Sequence, residues 1–281
     1  MITDIEGMIA KITDEIKDRV DIAVIGLSGG VDSLVVAILC KLALGGGNVS
    51  SVHMPYGEID FTPGKFNDNS KKIANKLGIR IIDSPIGKIV DALNETVEAS
   101  VGISLNTLNL GNSRSRARMC VLYSIAHEIG FLLEKRVRVM GTGNYSEDFI
   151  GYDTKGGDAL GDLFPMGELF KSEVYQLADY FVEKGLIDED MIDQKPSAGL
   201  WDGQTDEDEL GYSYNTMEHA LRGLEYKTIA FGDGGGINMD LSGFSKVQKF
   251  VINRHITNKH KHEAPPSLRI REFCDGYKII T

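Results

Sequence analysis

The stretch Val24-Ile25-Gly26-Leu27-Ser28-Gly29-Gly30-Val31-Asp32-Ser33 constrains the fold more than any other part of the chain. An apolar run from Asp21 to Leu27 ends at glycines, and Ser33 to Leu44 is long and apolar enough for a buried helix. The first unit therefore reads as strand, tight turn, helix. Its turn admits two chemistries. Gly26-Leu27-Ser28-Gly29-Gly30 fits the G-x-S-x-G nucleophile elbow, with Ser28 as the nucleophile of a hydrolase. The same residues also form a glycine-rich loop in which backbone N–H groups approach an anion at the positive end of the following helix.

The surroundings separate these readings. An elbow needs an oxyanion-hole loop from an earlier strand, and Ser28 comes too early in the chain to have one. In the phosphate reading, Ser28 and Ser33 supply hydroxyl donors. No lysine follows the glycines, so this is not a G-x-x-x-x-G-K-[ST] loop. Asp32 stands in its place, and a carboxylate beside phosphates makes sense at a helix N-terminus with Mg²⁺ as a bridge. The plain alternative is a glycine turn in which Asp32 only caps the helix.

Further along, the unit recurs. Val49 to Met54 reads as a strand stopped by Pro55, Asn67 to Leu77 as a helix closed by Gly78, and Ile79 to Asp83 as another strand. Helical patterns cover Ile89 to Val101 and Ser115 to Leu133, and Arg136 to Met140 is a strand ending at Gly141-Thr142-Gly143. An amphipathic helix is expected within residues 1–20, ahead of the first strand. This alternation predicts an α/β fold: a Rossmann-like, mostly parallel sheet with helices on both faces and ligands at the carboxyl ends of its strands. Tyr145 to Glu168 reads as a functional loop or lid. Helices are expected at Ser172 to Lys184, with Ser172 as cap, at Ser213 to Leu224 and at Phe244 to Ile256. The glycine-rich stretch around Gly232 to Gly236 reads as a surface insertion.

At 281 residues, with 42% hydrophobic and 25% charged, the chain suits one globular domain over residues 1–281. A net charge of -11 argues against a nucleic-acid-binding surface. Without a signal-peptide pattern or a long apolar run, neither secretion nor membrane insertion is expected, and the protein reads as cytoplasmic. Cys40, Cys120 and Cys274 are too scattered for a disulfide framework, and Cys40 and Cys120 read as core residues. His255, His260 and His262 have no cysteine nearby and make a poor zinc site.

Ser28-Gly29-Gly30-Val31-Asp32-Ser33 resembles the S-G-G-x-D-S loop of the ATP pyrophosphatases, which cleave ATP between its α and β phosphates and adenylate a substrate. Further blocks narrow the resemblance. Gly111 to Met119, Gly141 to Glu147, Gly151 to Lys155, Asp162 to Lys171, Pro196 to Trp201 and Gln204 to Gly211 are together similar to the NAD synthetase family, in order and over most of the chain. The resemblance implies an adenine nucleotide alpha hydrolase-like fold and a ligase reaction. The carboxylate of nicotinic acid adenine dinucleotide (deamido-NAD) attacks the α-phosphate of ATP, pyrophosphate leaves, and ammonia displaces AMP to give NAD.

By that resemblance, Gly26, Leu27, Ser28, Gly29, Gly30, Val31, Asp32 and Ser33 would hold the ATP phosphates, joined by Thr142, Lys171 and Ser197. Asp32 and Glu147 would take Mg²⁺, with Asp32 and Lys171 the catalytic pair. Arg116, Lys155, Asp162, His260 and Lys261 would bind deamido-NAD. The chain departs from the family at Gly156-Gly157-Asp158-Ala159-Leu160, where relatives often read Tyr-Gly-Asp-Gly-Gly, and at His53, where arginine is frequent. Only about 20 residues precede the first strand, whereas glutamine-using relatives carry an extra N-terminal domain. Free ammonia is therefore the expected nitrogen source, with a separate glutaminase partner still open. A homodimer is expected from the same resemblance. The rival readings are another adenylating ATP pyrophosphatase and a nucleotide-binding regulator without turnover.

Overall fold

The computed structural model describes residues 1–57, 66–193, 205–225, 242–261 and 263. Helix α1 (Ile5–Arg19) begins at Asp4, whose carboxylate accepts the Gly7 N–H. Its apolar residues Ile5, Met8, Ile9, Ile12 and Ile16 pack inward, as the helical spacing predicts. Strand β1 (Ile22–Gly26) follows, then α2 (Val31–Leu44), in which nine residues from Val31 to Cys40 are buried. Next come β2 (Val49–His53), α3 (Phe66–Leu77), β3 (Arg80–Asp83), α4 (Gly87–Val101), α5 (Thr107–Leu133) and β4 (Val137–Met140).

The four strands form one sheet in the order β3-β2-β1-β4, and every neighbouring pair is parallel. Ala23 and Ile25 of β1 join a core with α1, α2 and later helices, whereas Ile22 and Val24 face a second core built on α4 and α5. Side chains alternate across a strand, so β1 carries helices on both sides, which a buried parallel sheet requires. Strand order reverses between β1 and β4, and the loops leaving those two strands open a crevice at the carboxyl edge.

After β4 the chain forms the short helix α6 (Tyr145–Ile150), then turns, then α7 (Lys171–Glu183). The stretch predicted as a loop or lid is thus helical at its start. Its later part is tied along β4: Asp162 N–H donates to Val139 O and Gly141 N–H to Leu163 O, each at 2.8 Å. Helices α8 (Asp206–Leu210), α9 (Tyr214–Glu225) and α10 (Lys246–Asn258) complete the described elements. With α6 they enclose a third core, where Ile150, Phe170, Met217, Leu221, Val251 and Ile252 meet.

Three expectations are corrected. Helix α5 begins at Thr107 rather than Ser115, because the Asn106 side chain caps it through the Asn109 N–H at 2.9 Å. Its first two turns set Leu108 and Leu110 among polar residues and line the crevice through Leu108 and Asn112, so no continuous apolar stripe marks their helical period. Cys120 is exposed rather than in the core. The buried stripe of α5 runs through Ser115, Met119, Leu122 and Ala126, and Cys120 falls one position off it. Ser172 is not a cap. Phe170 occupies that position, and the Ser172 hydroxyl is bonded to a carboxylate of α9. Cys274, His262 and the glycine-rich stretch near Gly234 lie outside the described residues. Among the described residues, no helix is long and apolar enough to cross a membrane.

Candidate active site

The crevice is a cavity of about 510 Å³ lined by the β1 loop, the ends of β2 and β4, and side chains from α5, α6 and α7. Gly29 has a positive φ of 93°, and Gly30 precedes α2 with no side chain capping the helix. The first turn of α2 therefore keeps backbone donors for an anion. Ser28 Oγ accepts the Gly30 N–H at 3.2 Å and lies 3.1 Å from Ser33 Oγ. Among the described residues no histidine hydrogen-bonds Ser28. That geometry fits a phosphate loop and leaves the hydrolase reading without a base. Asn69 of α3 braces the loop from behind, its amide donating to Gly29 O at 2.6 Å and to Met191 O at 3.1 Å.

Asp32 occupies the second position of α2, and its carboxylate faces across the cavity rather than towards the helix backbone. It accepts the Asn144 amide at 3.0 Å and the Lys171 ammonium at 2.5 Å. Asn144 also caps α6, taking the Glu147 N–H on its Oδ1 at 3.2 Å. Lys171 Nζ donates in addition to Glu147 Oε1 at 3.0 Å. One buried ammonium therefore bridges two carboxylates drawn from different helices. Burial by itself would push Lys171 down, but Asp32 and Glu147 more than reverse this and hold it protonated above the usual lysine range. Burial pushes the Glu147 carboxyl up to about 7, against the lowering pull of Lys171 and with Asp32 and Asp206 adding to the rise.

Two acids here, Asp206 and Glu209, were not singled out from the sequence. Asp206, at the start of α8, is buried and accepts the Tyr214 hydroxyl at 2.9 Å; the same hydroxyl lies 3.3 Å from Glu147 Oε1. Tyr152 donates to Glu209 at 2.8 Å. Both acids fall within the Gln204 to Gly211 block that carried the resemblance, so a signal existed at block level but not residue by residue.

The residues expected at the dinucleotide are partly assembled. Lys155 Nζ donates to His260 O at 2.7 Å, and Arg116 Nε to Lys155 O at 3.2 Å. Lys261 Nζ donates to Gly151 O and Asp153 O, each at 2.7 Å, and lines the cavity. Arg116, Lys155 and His260 are thus linked to one another, and Lys261, next in the chain to His260, is the one of the four that lines the cavity. Asp162 stands apart, its Oδ2 accepting the Val139 N–H at 2.8 Å along β4. Thr142 lines the cavity; Ser197 lies outside the described residues. His53, at the end of β2, is buried on the cavity wall with Nδ1 2.7 Å from Asp83.

Gly141 leaves no room for a side chain, because a Cβ there would come within 2.3 Å of the Phe164 ring. Gly141→Ala must displace that ring. We expect it to destabilise the fold by about 1–3 kcal/mol, read from denaturant unfolding; an unchanged midpoint would show that Phe164 is free to move.

A glycine loop before a helix, at the switch point of a parallel sheet and opposite a lysine between two carboxylates, defines an α/β nucleotide-binding protein of the adenine nucleotide alpha hydrolase-like type. The family model for NAD synthase matches residues 4–265. An NH(3)-dependent NAD(+) synthetase from Pyrococcus furiosus is 36% identical over 92% of this chain and 93% of its own length. Its counterpart from Methanosarcina mazei is 37% identical over 94% and 98%. Among solved structures, an NMN synthetase from Francisella tularensis superposes with a TM-score of 0.76 at 26% identity, covering 96% of this chain and all of that one. An NH3-dependent NAD synthetase from Campylobacter jejuni gives 0.71 at 28%, covering 95% and all of its own chain. The chain belongs to the NAD synthase family.

Proposed function

We propose that the protein amidates deamido-NAD to NAD with ammonia, consuming ATP and releasing AMP and pyrophosphate. The observation that carries this reading is Lys171 held between Asp32 and Glu147 beside the glycine loop, in a chain of the NAD synthase family. In the first step a carboxylate oxygen of the dinucleotide attacks the α-phosphorus, and the bond to the β-phosphate breaks. In the second, the ammonia nitrogen attacks the activated carbonyl carbon, AMP leaves, and the nitrogen sheds a proton. A carboxylate is a poor electrophile until a leaving group is installed. The protein's part is therefore alignment and neutralisation of phosphate charge.

The α2 N-terminus and the Ser28 and Ser33 hydroxyls bind phosphate oxygens, and Lys171 supplies a fixed positive charge. Asp32 and Glu147 fit Mg²⁺. Both are hard oxygen donors within reach of one ammonium, and two protein carboxylates suit an ion that takes its other ligands from water and phosphate. When bound, Mg²⁺ offsets the charge of the phosphates. Arg116, Lys155 and Lys261 form a cationic rim, with His260 beside Lys155, for the pyrophosphate and carboxylate of the dinucleotide.

The test is incubation with ATP, Mg²⁺, ammonium and either deamido-NAD or its mononucleotide counterpart. NAD and AMP forming together is the expected result. A folded sample that makes neither would overturn the reading, and amidation of the mononucleotide alone would correct the substrate.

The protein is further proposed to act as a homodimer. Helix α4 exposes Ile89, Leu93 and Val101, and α5 exposes Leu108, Phe131, Leu132 and Leu133. So much apolar surface on two adjacent helices favours a second copy as its cover. Leu108 also lines the cavity, so that surface continues into the site. Light scattering is expected to give a dimer for the wild type and a monomer for the double variant I89K/L93K; a wild-type monomer would remove the proposal.

A further inference from the structure

We propose that Glu218, a residue of α9 that lines neither the nucleotide cavity nor any ligand contact described above, is the positioning residue that sets Lys171 against Glu147. The inference rests on the function proposed above. Glu218 is 3% exposed, and among the described residues no lysine, arginine or histidine pairs with it. A buried carboxylate with no cation is costly and has to be met by several donors. Here the donors come from the two helices that carry the site. Oε1 accepts the Ser146 hydroxyl of α6 at 2.8 Å and the Ser172 N–H of α7 at 3.1 Å, and Oε2 accepts the Ser172 hydroxyl at 2.5 Å. Ser146 Oγ in turn accepts the Lys171 N–H at 3.0 Å.

Each serine held this way is the direct neighbour of a site residue: Ser146 precedes Glu147, and Ser172 follows Lys171. One carboxylate therefore fixes the backbone of α6 and the first turn of α7 at the same time. The Nζ to Oε1 contact across the cavity follows from that registration. Glu218 also answers one otherwise unpaired N–H at the start of α7, that of Ser172, where the helix dipole favours a negative charge. It acts on the reaction through Lys171 and does not touch the nucleotide.

The experiment compares steady-state kinetics of the wild type, Glu218→Gln and Ser146→Ala at a temperature where melting curves show each fully folded. Wild-type turnover in the same assay tests the proposed function; the ratio of variant to wild type tests this inference. Glu218→Gln keeps the size of the side chain but loses the charge and one acceptor. A displacement of about 1 Å at a reacting centre can cost about 100-fold, so kcat is expected to fall roughly 10- to 100-fold. The KM for deamido-NAD should stay within about twofold, because the dinucleotide rim is untouched. Ser146→Ala removes both the hydroxyl that donates to Glu218 and the acceptor of the Lys171 N–H, leaves Ser172 bonded to Glu218, and should lower kcat by roughly fivefold. If Glu218→Gln does not fold, Ser146→Ala alone decides. A folded variant with wild-type kcat, or with a lowered melting temperature as its only change, would overturn the proposal and leave Glu218 as a strut between helices.

Discussion

Lys171→Met is expected to lower turnover by at least about 100-fold while making the ligand-free protein less stable, and less stable at high pH than at low. Methionine nearly fills the space of the aliphatic stem but carries no charge. Asp32 and Glu147, drawn together by the ammonium at 2.5 and 3.0 Å, are then left facing each other. Removing one partner of a buried ion pair costs about 3 kcal/mol or more, unless one of the remaining groups takes up a proton. Glu147 is placed to do so. Its carboxyl already sits near 7 against an ordinary 4.5, through burial and despite the lowering pull of Lys171. Without Lys171 it rises further.

The sign of the pH dependence follows. A group whose pKa is raised by folding binds more protons in the native state, so its favourable contribution is complete below 4.5 and is lost as pH climbs through the folded value. The difference in melting temperature between wild type and Lys171→Met should therefore widen from pH 6 to pH 8 in metal-free buffer. A gap independent of pH would mean that Glu147 is ionised throughout and that the charge cluster is relieved by solvent.

Much of this architecture was legible in the residues because each strand ends where a glycine or proline stops it. Gly26, Pro55 and Gly141 mark the carboxyl edge of the sheet, and the crevice opens between the loops at Gly26 and Gly141. The phosphate loop was legible for the same reason: Ser28 to Ser33 is local, and a helix N-terminus needs no distant partner to bind an anion. What could not be read was anything depending on residues far apart in the chain. Asn69 supports Gly29 across 40 positions, and Glu218 holds Ser146 across 72. Neither belongs to a recognisable motif. Asp206 and Tyr214 were hidden in another way, since the block containing Asp206 pointed to a family without saying which of its acids faces inward.

The start of α5 misled in the opposite direction. Periodicity detects a helix by its buried stripe, and residues that line a ligand crevice lack one. Asn112, Ser115 and Arg118 are helical and cavity-lining at once, so a functional wall read as a late helix start. Cys120 shows the same effect from the other side: a residue that composition places in the core sits one position off the stripe.

Asp32→Asn provides the counterpart to Lys171→Met at the same cluster. Asparagine preserves the shape of Asp32 and can still accept from Asn144, so the fold should hold to within about 1 kcal/mol. The charge that serves Mg²⁺ is gone. Turnover is expected to fall about 1,000-fold, with the Mg²⁺ concentration for half-maximal rate displaced upwards. In the ligand-free protein the two variants should diverge. Asp32 is one of the charges that raise Glu147, so its neutralisation lowers that carboxyl and flattens the loss of stability between pH 4.5 and about 7. Lys171→Met steepens it. Turnover near the wild-type level in Asp32→Asn would show that the carboxylate only braces Asn144 and Lys171. Loss of turnover with an unchanged Mg²⁺ requirement would give Asp32 a role in orienting Lys171 instead of holding the metal. The two measurements together separate a metal ligand from a structural carboxylate, because only the ligand couples the rate to Mg²⁺ while leaving the melting temperature in place.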